Sequence, residues 1–432
     1  MVLHPMRLFC LLAATAALLP AASPDPTYQQ RVDRVRRTPG FVALWDFVKR
    51  EPAGARRFDA WQPNHDLHDF RLDAVNYVRE FWNQGRSATY LDFPLLGRGP
   101  FGQAIQIKAE TDPDFRPCLL VPRARLHDSA LDAKGPGRSV SMVAWLIRES
   151  GNHAIAGIWH EGTDLNLPAA PAAKVERGMR QYALFAGLAA NNGAAAAHLS
   201  ENGAASFGDR YARNLAVTSR VIPAVPAASP AAVLDRSWHV AAFSFDDARH
   251  TLTAYLDGEA PEFWIEHPEN HPFYRWAYLG WVHAQAQSQS PRTPVDQPAE
   301  DGAQLYQPPE GKPLSRVVLE RSAARRVELQ TFPFTKVRVT LAPDARGHFA
   351  TIVSRELVAL KANPFWFGHD LYTPAGPESG GPFTIGRVIH AGRSVGFTGY
   401  LGGIAVFSRP LTAAQMRSLA ALARNPPLTA TH

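Results

Sequence analysis

Two glutamates flank a tryptophan at alternate positions in the segment 262–266. If this segment is extended, Glu262, Trp264 and Glu266 share one face, because side chains along a strand alternate with a period of two. Paired carboxyl groups are the acid and the nucleophile or base of most glycoside hydrolases, at separations of about 5 to 9.5 Å. The Cα atoms of the two glutamates would lie roughly 13 Å apart. Glu262 and Glu266 are therefore catalytic candidates without a central acid, and a sugar-stacking surface or ordinary packing are the alternatives.

Aromatic and polar side chains are concentrated in the segment 259–381. Sugars present apolar C–H faces and a ring of hydroxyl groups, so a binding site combines exposed aromatic rings with hydrogen-bonding groups. The sequence predicts ligand-binding candidates at Trp264, Trp276, Trp281, Trp366, His369 and Asp370. The alternative is that these rings form the core that the segment itself needs in order to be ordered.

Other motifs give less support for chemistry. The run 97–102 fits the Gly-x-Gly-x-x-Gly dinucleotide pattern, but it precedes an alternating strand where that pattern requires a helix. In the segment 267–271, Pro268 obstructs the helix on which a zinc protease places its two histidines. His65 and His68 lack a third metal ligand nearby, and no Gly-x-Ser-x-Gly elbow is present. No metal site is predicted.

The composition is that of a globular protein without a nucleic-acid partner. The chain has 432 residues, of which 46% are hydrophobic, enough for a sizeable packed core. The net charge of +6 is spread along the chain without a basic block. Nucleic-acid binding usually needs a concentrated basic face, so we do not expect it.

The N-terminus reads as an export signal. Arg7 precedes an apolar run from Leu8 to Leu19 and then small residues, which is the pattern of a signal peptide over residues 1–23. This run is too short to cross a bilayer, and no other stretch is a transmembrane candidate. We expect a secreted or periplasmic protein in which Cys118 remains as a single thiol without an internal disulfide.

Short alternating or β-branched segments separated by Gly, Pro, Asn and Asp predict an antiparallel β protein. The expected strands are 41–48, 101–107, 139–147, 154–159, 182–188, 237–245 and 251–256, with further strands at 317–319, 327–329, 336–341 and 348–353. A short helix is expected at 73–82, an exposed loop at 285–312, and a last helix at 412–423 capped by Thr412.

The closing stretch of the chain carries a family resemblance. Residues 382–386 lead into 396–407 and then 409–412, and this pattern resembles the closing strands of laminin-G-like jelly rolls. The hairpin 237–258 is similar to the one that precedes those strands in the family. The resemblance covers roughly 40–260 and 382–424. It implies an all-β, concanavalin A-like (laminin-G-like) antiparallel β-sandwich jelly roll with an inserted β-rich segment and a short C-terminal helix.

The domain organisation follows from this resemblance. Residues 1–23 are the expected signal peptide and 24–39 a flexible leader. The jelly roll spans 40–424 and is interrupted by the insertion 259–381, and residues 425–432 form a tail.

The resemblance leaves the activity open, because this fold carries lectins, glycoside hydrolases, polysaccharide lyases and adhesive modules. The Glu-x-Asp-x-Glu strand of its glucanases is missing, and Lys108 stands where a lyase-like Gln-Ile-His strand would end. We expect a non-catalytic protein that binds a glycan or another surface ligand. The alternatives are a polysaccharide-degrading enzyme and a structural or adhesive module. No cofactor is expected; structural calcium stays open, although the acidic residues form no dense cage.

Overall fold

The protein is all-β, and its described residues form three antiparallel sheets. The computed structural model describes residues 28–50, 57–63, 67–160, 179–188, 191–203, 214–225, 238–289, 306–377, 380–389 and 397–424. The expected signal peptide, the tail 425–432 and His65 lie outside these residues.

The seven-stranded sheet is built around the last strand of the chain. The last strand, β20 (Thr398–Phe407), pairs with the first strand, β1 (Phe41–Trp45), on one side and with β6 (Val140–Ser150) on the other. The hairpin of β11 (His239–Asp246) and β12 (Thr251–Leu256) continues the sheet beyond β6. In chain order its strands are β1 (Phe41–Trp45), β4 (Ile105–Ile107), β6 (Val140–Ser150), β11 (His239–Asp246), β12 (Thr251–Leu256), β18 (Phe365–Trp366) and β20 (Thr398–Phe407). The expected hairpin and the expected central strand at 139–147 are confirmed.

The eight-stranded sheet packs against the seven-stranded sheet. Its strands are β2 (Arg57–Phe58), β3 (Leu72–Asn76), β5 (Pro117–Val121), β7 (Ala154–Trp159), β8 (Arg180–Phe185), β9 (Ala194–Leu199), β10 (Leu215–Val221) and β19 (Phe383–Ile385). Between the sheets, the ring of Trp45 stacks on Phe383 at 5.1 Å between centroids, and Tyr182 lies 6.3 Å from Phe243. Side chains from both sheets belong to one buried apolar cluster. The molecule is therefore a β-sandwich in the described part of the chain.

The insertion forms a five-stranded sheet of its own. Its strands are β13 (Phe263–Glu266), β14 (Ser315–Arg321), β15 (Arg326–Thr331), β16 (Thr335–Pro343) and β17 (Phe349–Asn363), in the spatial order β13-β17-β16-β15-β14. β16 alternates buried and half-buried residues, as its apolar pattern predicts. The four strands expected between 317 and 353 are confirmed, and β18 returns the chain to the seven-stranded sheet beside β12.

Five α-helices are present in the described residues. They are α1 (Tyr28–Arg36), α2 (Tyr77–Trp82), α3 (Arg123–Leu126), α4 (Arg275–Gln289) and α5 (Ala413–Ala420). The expected last helix is confirmed, with Thr412 and Gln415 forming a capping box at its start. α1 and α5 cover the outer face of the seven-stranded sheet in an apolar cluster, and Trp145 of β6 donates a hydrogen bond from Nε1 to the carbonyl oxygen of Leu419 at 3.2 Å. None of the described helices is both long and apolar enough to cross a bilayer.

The flexible leader expected at 24–39 is wrong from Tyr28 onwards, because this segment holds α1. Arg31, Val32 and Val35 of α1 are buried. The guanidinium of Arg31 donates hydrogen bonds to carbonyl oxygens of Leu422 and Arg424 beyond α5. These acceptors offset the cost of burying its charge, so the leader packs against the C-terminal segment.

Two further expectations were wrong in part. The helix expected at 73–82 begins at Tyr77, because β3 extends to Asn76, whose side chain caps the helix by accepting from the amide of Val78. The exposed loop expected at 285–312 begins inside α4, and Tyr306 is buried against Phe365. Residues 290–305 of this stretch lie outside the described residues, so the expected loop is corrected only at 285–289, which are helical, and at Tyr306, whose ring packs against an aromatic neighbour.

Candidate functional site

Glu262, Trp264 and Glu266 lie together on the surface of the five-stranded sheet and face two lysines. The Nζ atom of Lys361 is 2.7 Å from Oε1 of Glu262, and that of Lys336 is 2.8 Å from Oε1 of Glu266. Both Nζ atoms lie 4.8 Å from the centroid of the Trp264 ring. The hydrogen bond from Lys361 lowers the pKa of Glu262. A carboxylate held in this way is a poor proton donor at neutral pH, and the arrangement is that of an ion-paired aromatic surface.

Trp276 and Trp281 both lie on α4 but differ in exposure. Trp281 is 3% exposed and has the guanidinium carbon of Arg355 5.6 Å from its ring centroid. Trp276 is half-buried, with Arg275 at 5.1 Å. Trp281 therefore belongs to the core between α4 and the five-stranded sheet. This is the alternative to ligand binding, in which the aromatic rings of the insertion form its own core.

The eight-stranded sheet does not present an open aromatic surface in its described strands. Trp159, Phe185 and His198 are buried against one another, with the rings of Phe185 and His198 4.2 Å apart between centroids.

A cavity of about 520 Å³ lies where several strands end at one edge of the sandwich, and we call it the rim cavity. Its wall comes from the residues before β6, the residue pair after β9 and the segment that follows β18. The lining residues are Gly135, Pro136, Glu201, Gly368, His369, Asp370, Leu371 and Thr373. Two of the predicted binding residues, His369 and Asp370, thus lie in one wall.

Backbone hydrogen bonds hold the three segments of this wall together. The amide of Tyr372 donates to the carbonyl oxygen of Ser200 at 2.9 Å, and the amide of Gly135 donates to that of Leu371 at 2.7 Å. The segment after β18 thereby bridges the two sheets. The geometry of this wall is therefore fixed by backbone hydrogen bonds to both sheets of the sandwich.

Glu201 supplies a carboxyl group that is largely withdrawn from water. Its Oε1 atom has no contact with solvent and no hydrogen-bond partner in the described structure, whereas Oε2 accepts from Nδ2 of Asn214. Burial disfavours the charged form and raises the pKa of Glu201 to about 8. At neutral pH the side chain is therefore protonated and presents an O–H donor.

His369 is neutral at physiological pH. Burial lowers its pKa, the neighbouring His250 lowers it further, and the neighbouring Asp370 opposes both effects. A neutral imidazole offers one N–H donor and one nitrogen acceptor, which suits it to a ligand hydroxyl group.

Asp247 adds a second, half-buried carboxyl group on the turn between β11 and β12. Burial raises its pKa, and the nearby charge of Asp370 raises it further, while a hydrogen bond from the amide of Gly137 opposes the shift. Its Oδ1 atom is buried without a hydrogen-bond partner among the described residues. The amide of Phe367 donates to the carbonyl oxygen of His250 at 2.9 Å, so this turn is fixed to the wall of the rim cavity.

Trp366 stands beside the rim cavity and is half-buried. Its ring centroid lies 6.5 Å from that of His369 and 5.6 Å from that of Tyr306. Three of the six predicted binding residues are therefore brought together, and Trp264, Trp276 and Trp281 lie elsewhere on the insertion.

In the part of the chain that the structure describes, no group of three or more His, Cys, Asp or Glu side chains is arranged to hold a metal ion. Calcium needs six to eight oxygen ligands at short range.

No sequence pattern identified Glu201, Asp247 or His250 as candidate site residues. Glu201 follows an alanine-rich strand with no motif around it, and the segment 246–250 was expected only as a connection between two strands. Only the folded topology places them near residues 368–370, which lie more than a hundred residues further along the chain.

The comparisons with known proteins leave the family of this chain undefined. No family model matches the sequence, and no curated protein matches it. Among solved structures, a sialidase of Trypanosoma rangeli in complex with the inhibitor DANA is 9% identical, with a TM-score of 0.30 over 89% of this chain and 33% of its own. This chain thus spans about a third of that sialidase.

Two further solved structures show the same degree of likeness. Domain 4 of the extracellular arabinanase AbnA from Geobacillus stearothermophilus, in complex with arabinotriose, is 12% identical, with a TM-score of 0.34 over 88% of this chain and 98% of that domain. The binding domain of Botulinum neurotoxin DC, in complex with rat synaptotagmin II, is 7% identical, with a TM-score of 0.31 over 88% of this chain and 51% of its own. Superpositions this partial carry no argument about function, which has to come from the rim cavity.

Proposed function

We propose that the protein is a concanavalin A-like, laminin-G-like jelly roll that binds a carbohydrate in the rim cavity without transforming it. The observation that carries this proposal is the combination of groups in one wall. His369 offers a donor and an acceptor and Asp370 a carboxyl group, next to the half-exposed ring of Trp366, and the protonated Glu201 lies in the same wall. The polar groups can hydrogen-bond to the hydroxyls of a sugar, and the indole ring can stack on the apolar face of a sugar ring.

A volume of about 520 Å³ sets the size of the ligand. It lies in the range of small-molecule sites, about 300 to 1,000 Å³, and has room for one or two sugar rings. The proposal is therefore recognition of one or two sugar units, at a chain end or within a longer glycan, because the cavity is open to solvent.

The experiment is a glycan array followed by isothermal titration of the oligosaccharide that binds best. Asp370→Asn and His369→Ala should each weaken binding at least tenfold, since a buried ligand hydroxyl would lose a partner worth about 1.5 kcal/mol or more. Asp114→Asn is the matched control, because Asp114 is exposed and lies outside the rim cavity. An array without any binder, or equal affinities for Asp370→Asn and Asp114→Asn, would contradict the proposal.

Glycoside hydrolysis is the second candidate function, and the raised pKa of Glu201 favours it. A carboxylic acid kept protonated near neutral pH is the general acid of such enzymes. Glu201 would give its proton to the leaving glycosidic oxygen as the glycosidic bond breaks, while Asp370, in the same wall, would take a proton from the water that adds to the anomeric carbon. Turnover of a bound oligosaccharide that disappears in Glu201→Gln, with binding retained, would favour the enzyme over the binding protein.

We also propose that the chain is exported. The pattern of residues 1–23 supports this, and the test is N-terminal sequencing of the protein recovered from the extracellular or periplasmic fraction. An intact residue 1 in the mature protein would contradict it.

A further inference from the structure

The charged residues that line the rim cavity are acidic. They are Glu201 and Asp370, beside a single histidine, His369, and no described lysine or arginine belongs to the lining. The other lining residues are glycine, proline, leucine and threonine, whose side chains carry no charge. A charged group on a ligand would meet these fixed charges at short range, where Coulomb interactions outside bulk water are strong. The charge on the lining therefore bears on the class of sugar that the cavity can take.

Asp370 supplies the negative charge of the cavity. The residue is exposed, and its carboxylate forms no hydrogen bond or ion pair with any residue that the structure describes. The field of this carboxylate reaches its neighbours, because Asp370 raises the pKa of Asp247 and opposes the fall in the pKa of His369. A carboxylate without a partner accepts hydrogen bonds from the hydroxyl or ammonium groups of a ligand, and it repels another carboxylate.

No lining group offsets this charge at neutral pH. Burial raises the pKa of Glu201 to about 8, so this side chain is protonated and uncharged. Burial lowers the pKa of His369, so its imidazole is uncharged as well. The described lining thus carries a negative charge at Asp370 and no positive charge.

Basic side chains near the wall do not supply the missing charge. The Nζ atom of Lys134 lies 2.8 Å from Oδ2 of Asp132, and Nη1 of Arg249 lies 3.2 Å from Oδ2 of Asp246, so both cations are already paired. Arg138 is exposed but does not line the cavity. An anionic ligand would therefore lose part of its hydration in the cavity without gaining a cation, and this loss is costly.

We propose that the rim cavity selects sugars without an anionic group, binding neutral and amino sugars in preference to acidic sugars such as uronic acids, and that Asp370 sets this selectivity. The inference rests on the proposed carbohydrate binding and names the ligand class of that site. The carboxylate of a uronic acid would face Asp370 with no cation beside it. The ammonium group of an amino sugar would instead gain a charge-assisted hydrogen bond to Asp370.

The test is a glycan array that carries disaccharides of the gluco, galacto and manno series, each in a neutral, a 2-amino and a uronic form. Isothermal titration at neutral pH then compares the three forms of the series that binds best. With the unaltered chain, the uronic form should bind at least tenfold more weakly than the neutral form, and the amino form at least as tightly as the neutral form. The differences should shrink at high salt, where charges in an open cavity are screened.

Reversal of the charge at position 370 gives the decisive comparison. Asp370→Lys should bind the uronic form at least tenfold more tightly than the amino form, because an ammonium then stands where the carboxylate was. Asp114→Lys is the matched control, since Asp114 is exposed and lies outside the rim cavity; it should keep the order of affinities of the unaltered chain. Far-UV circular dichroism checks that both variants are folded.

The outcomes separate this selectivity from the carbohydrate binding on which it rests. If the unaltered chain binds the uronic form as tightly as the neutral form or more tightly, the selectivity is overturned, although the protein still binds a sugar. The same holds if Asp370→Lys leaves the order of affinities unchanged. An array without any binder contradicts the carbohydrate binding, and the selectivity fails with it.

Discussion

A Cβ atom on Gly368 would lie 2.1 Å from Cη2 of Trp366, so the indole of Trp366 fills the space that any side chain at position 368 would need. Gly368 has no positive φ, and the requirement for glycine is therefore steric. Because Gly368 lines the rim cavity, this contact couples the position of an aromatic ring to the shape of the proposed binding site.

Gly368→Ala should move the indole and destabilise the protein. Real Cβ atoms essentially never approach another heavy atom within 3.0 Å, and overpacking of this kind costs about 1–3 kcal/mol. Urea unfolding measures the cost, and the emission maximum of tryptophan fluorescence should shift as the ring moves.

Gly347→Ala is the control for this prediction. Nothing lies within 4 Å of a Cβ atom at position 347, but its φ of +78° is strained for alanine, at a cost of about 1 kcal/mol. Equal losses of stability in the two variants, with ligand affinity unchanged in Gly368→Ala, would show that Trp366 is free to move away.

The free energy of unfolding should depend on pH through the titration of Glu201. The carboxyl group has a pKa of 4.5 ordinarily and about 8 in the folded protein. A raised pKa means that the folded state keeps a proton that the unfolded state releases, so the stabilisation is full below pH 4.5 and is lost as the pH rises to 8. At about 1.4 kcal/mol per pKa unit, the loss of stability over this range is at most about 5 kcal/mol.

Glu201→Gln removes this titration while keeping the shape of the side chain. Its free energy of unfolding, measured in urea from pH 5 to 8.5, should fall less steeply with rising pH than that of the unaltered protein. Parallel curves for the two proteins would mean that water reaches Glu201 in the folded state.

Runs of apolar and β-branched residues between turn residues were enough to predict most strands of the sandwich. β6, β7 and the hairpin β11–β12 lie within a few residues of their expected bounds, because their burial follows from local pattern. α1 could not be predicted in the same way, since its stability comes from contacts of Arg31 with carbonyl groups almost four hundred residues away. Its polar composition resembles that of a leader when it is considered alone.

The candidate site was predictable only in the segment where aromatic and polar residues are neighbours. Trp366, His369 and Asp370 stand close together in the sequence, and the structure keeps them together. Glu201 and Asp247 gain their raised pKa from burial, which no residue type encodes. They reach the candidate site only because strands from the two sheets end close to one another.

Glu262 and Glu266 are expected to be dispensable for carbohydrate binding. Both carboxyl groups are more than half exposed and paired with lysines, and exposed ion pairs contribute about 1 kcal/mol or less. Glu266→Gln should lower stability by no more than that, with a difference that shrinks at high salt, where exposed charges are screened. Glu262→Gln should cost more, because it removes the carboxylate that pairs with the buried ammonium of Lys361, whose side chain is 8% exposed. Titration of the bound oligosaccharide should give an unchanged Kd; a tenfold loss would place the site at Trp264 and not at the rim cavity.

Cys118 should be inert in the folded protein. The side chain is fully buried in a small apolar cluster with Val75, Tyr77 and Leu120, and burial raises the pKa of its thiol to about 12. The reactive form of cysteine is the thiolate, which is then negligible at pH 8. In a Cys10→Ser background, Ellman's reagent should find no thiol in the native protein and one per chain in guanidinium chloride.

An added cysteine on the surface calibrates that measurement. Ala324 is exposed at the turn between β14 and β15, so Ala324→Cys should react at once in the native protein while Cys118 stays silent. The ratio of the two rates measures how often the eight-stranded sheet opens around Cys118, because a buried thiol reacts only in opened molecules. Comparable rates would mean that β5 is not held in the packed cluster, and the placement of β5 between β3 and β19 would be wrong.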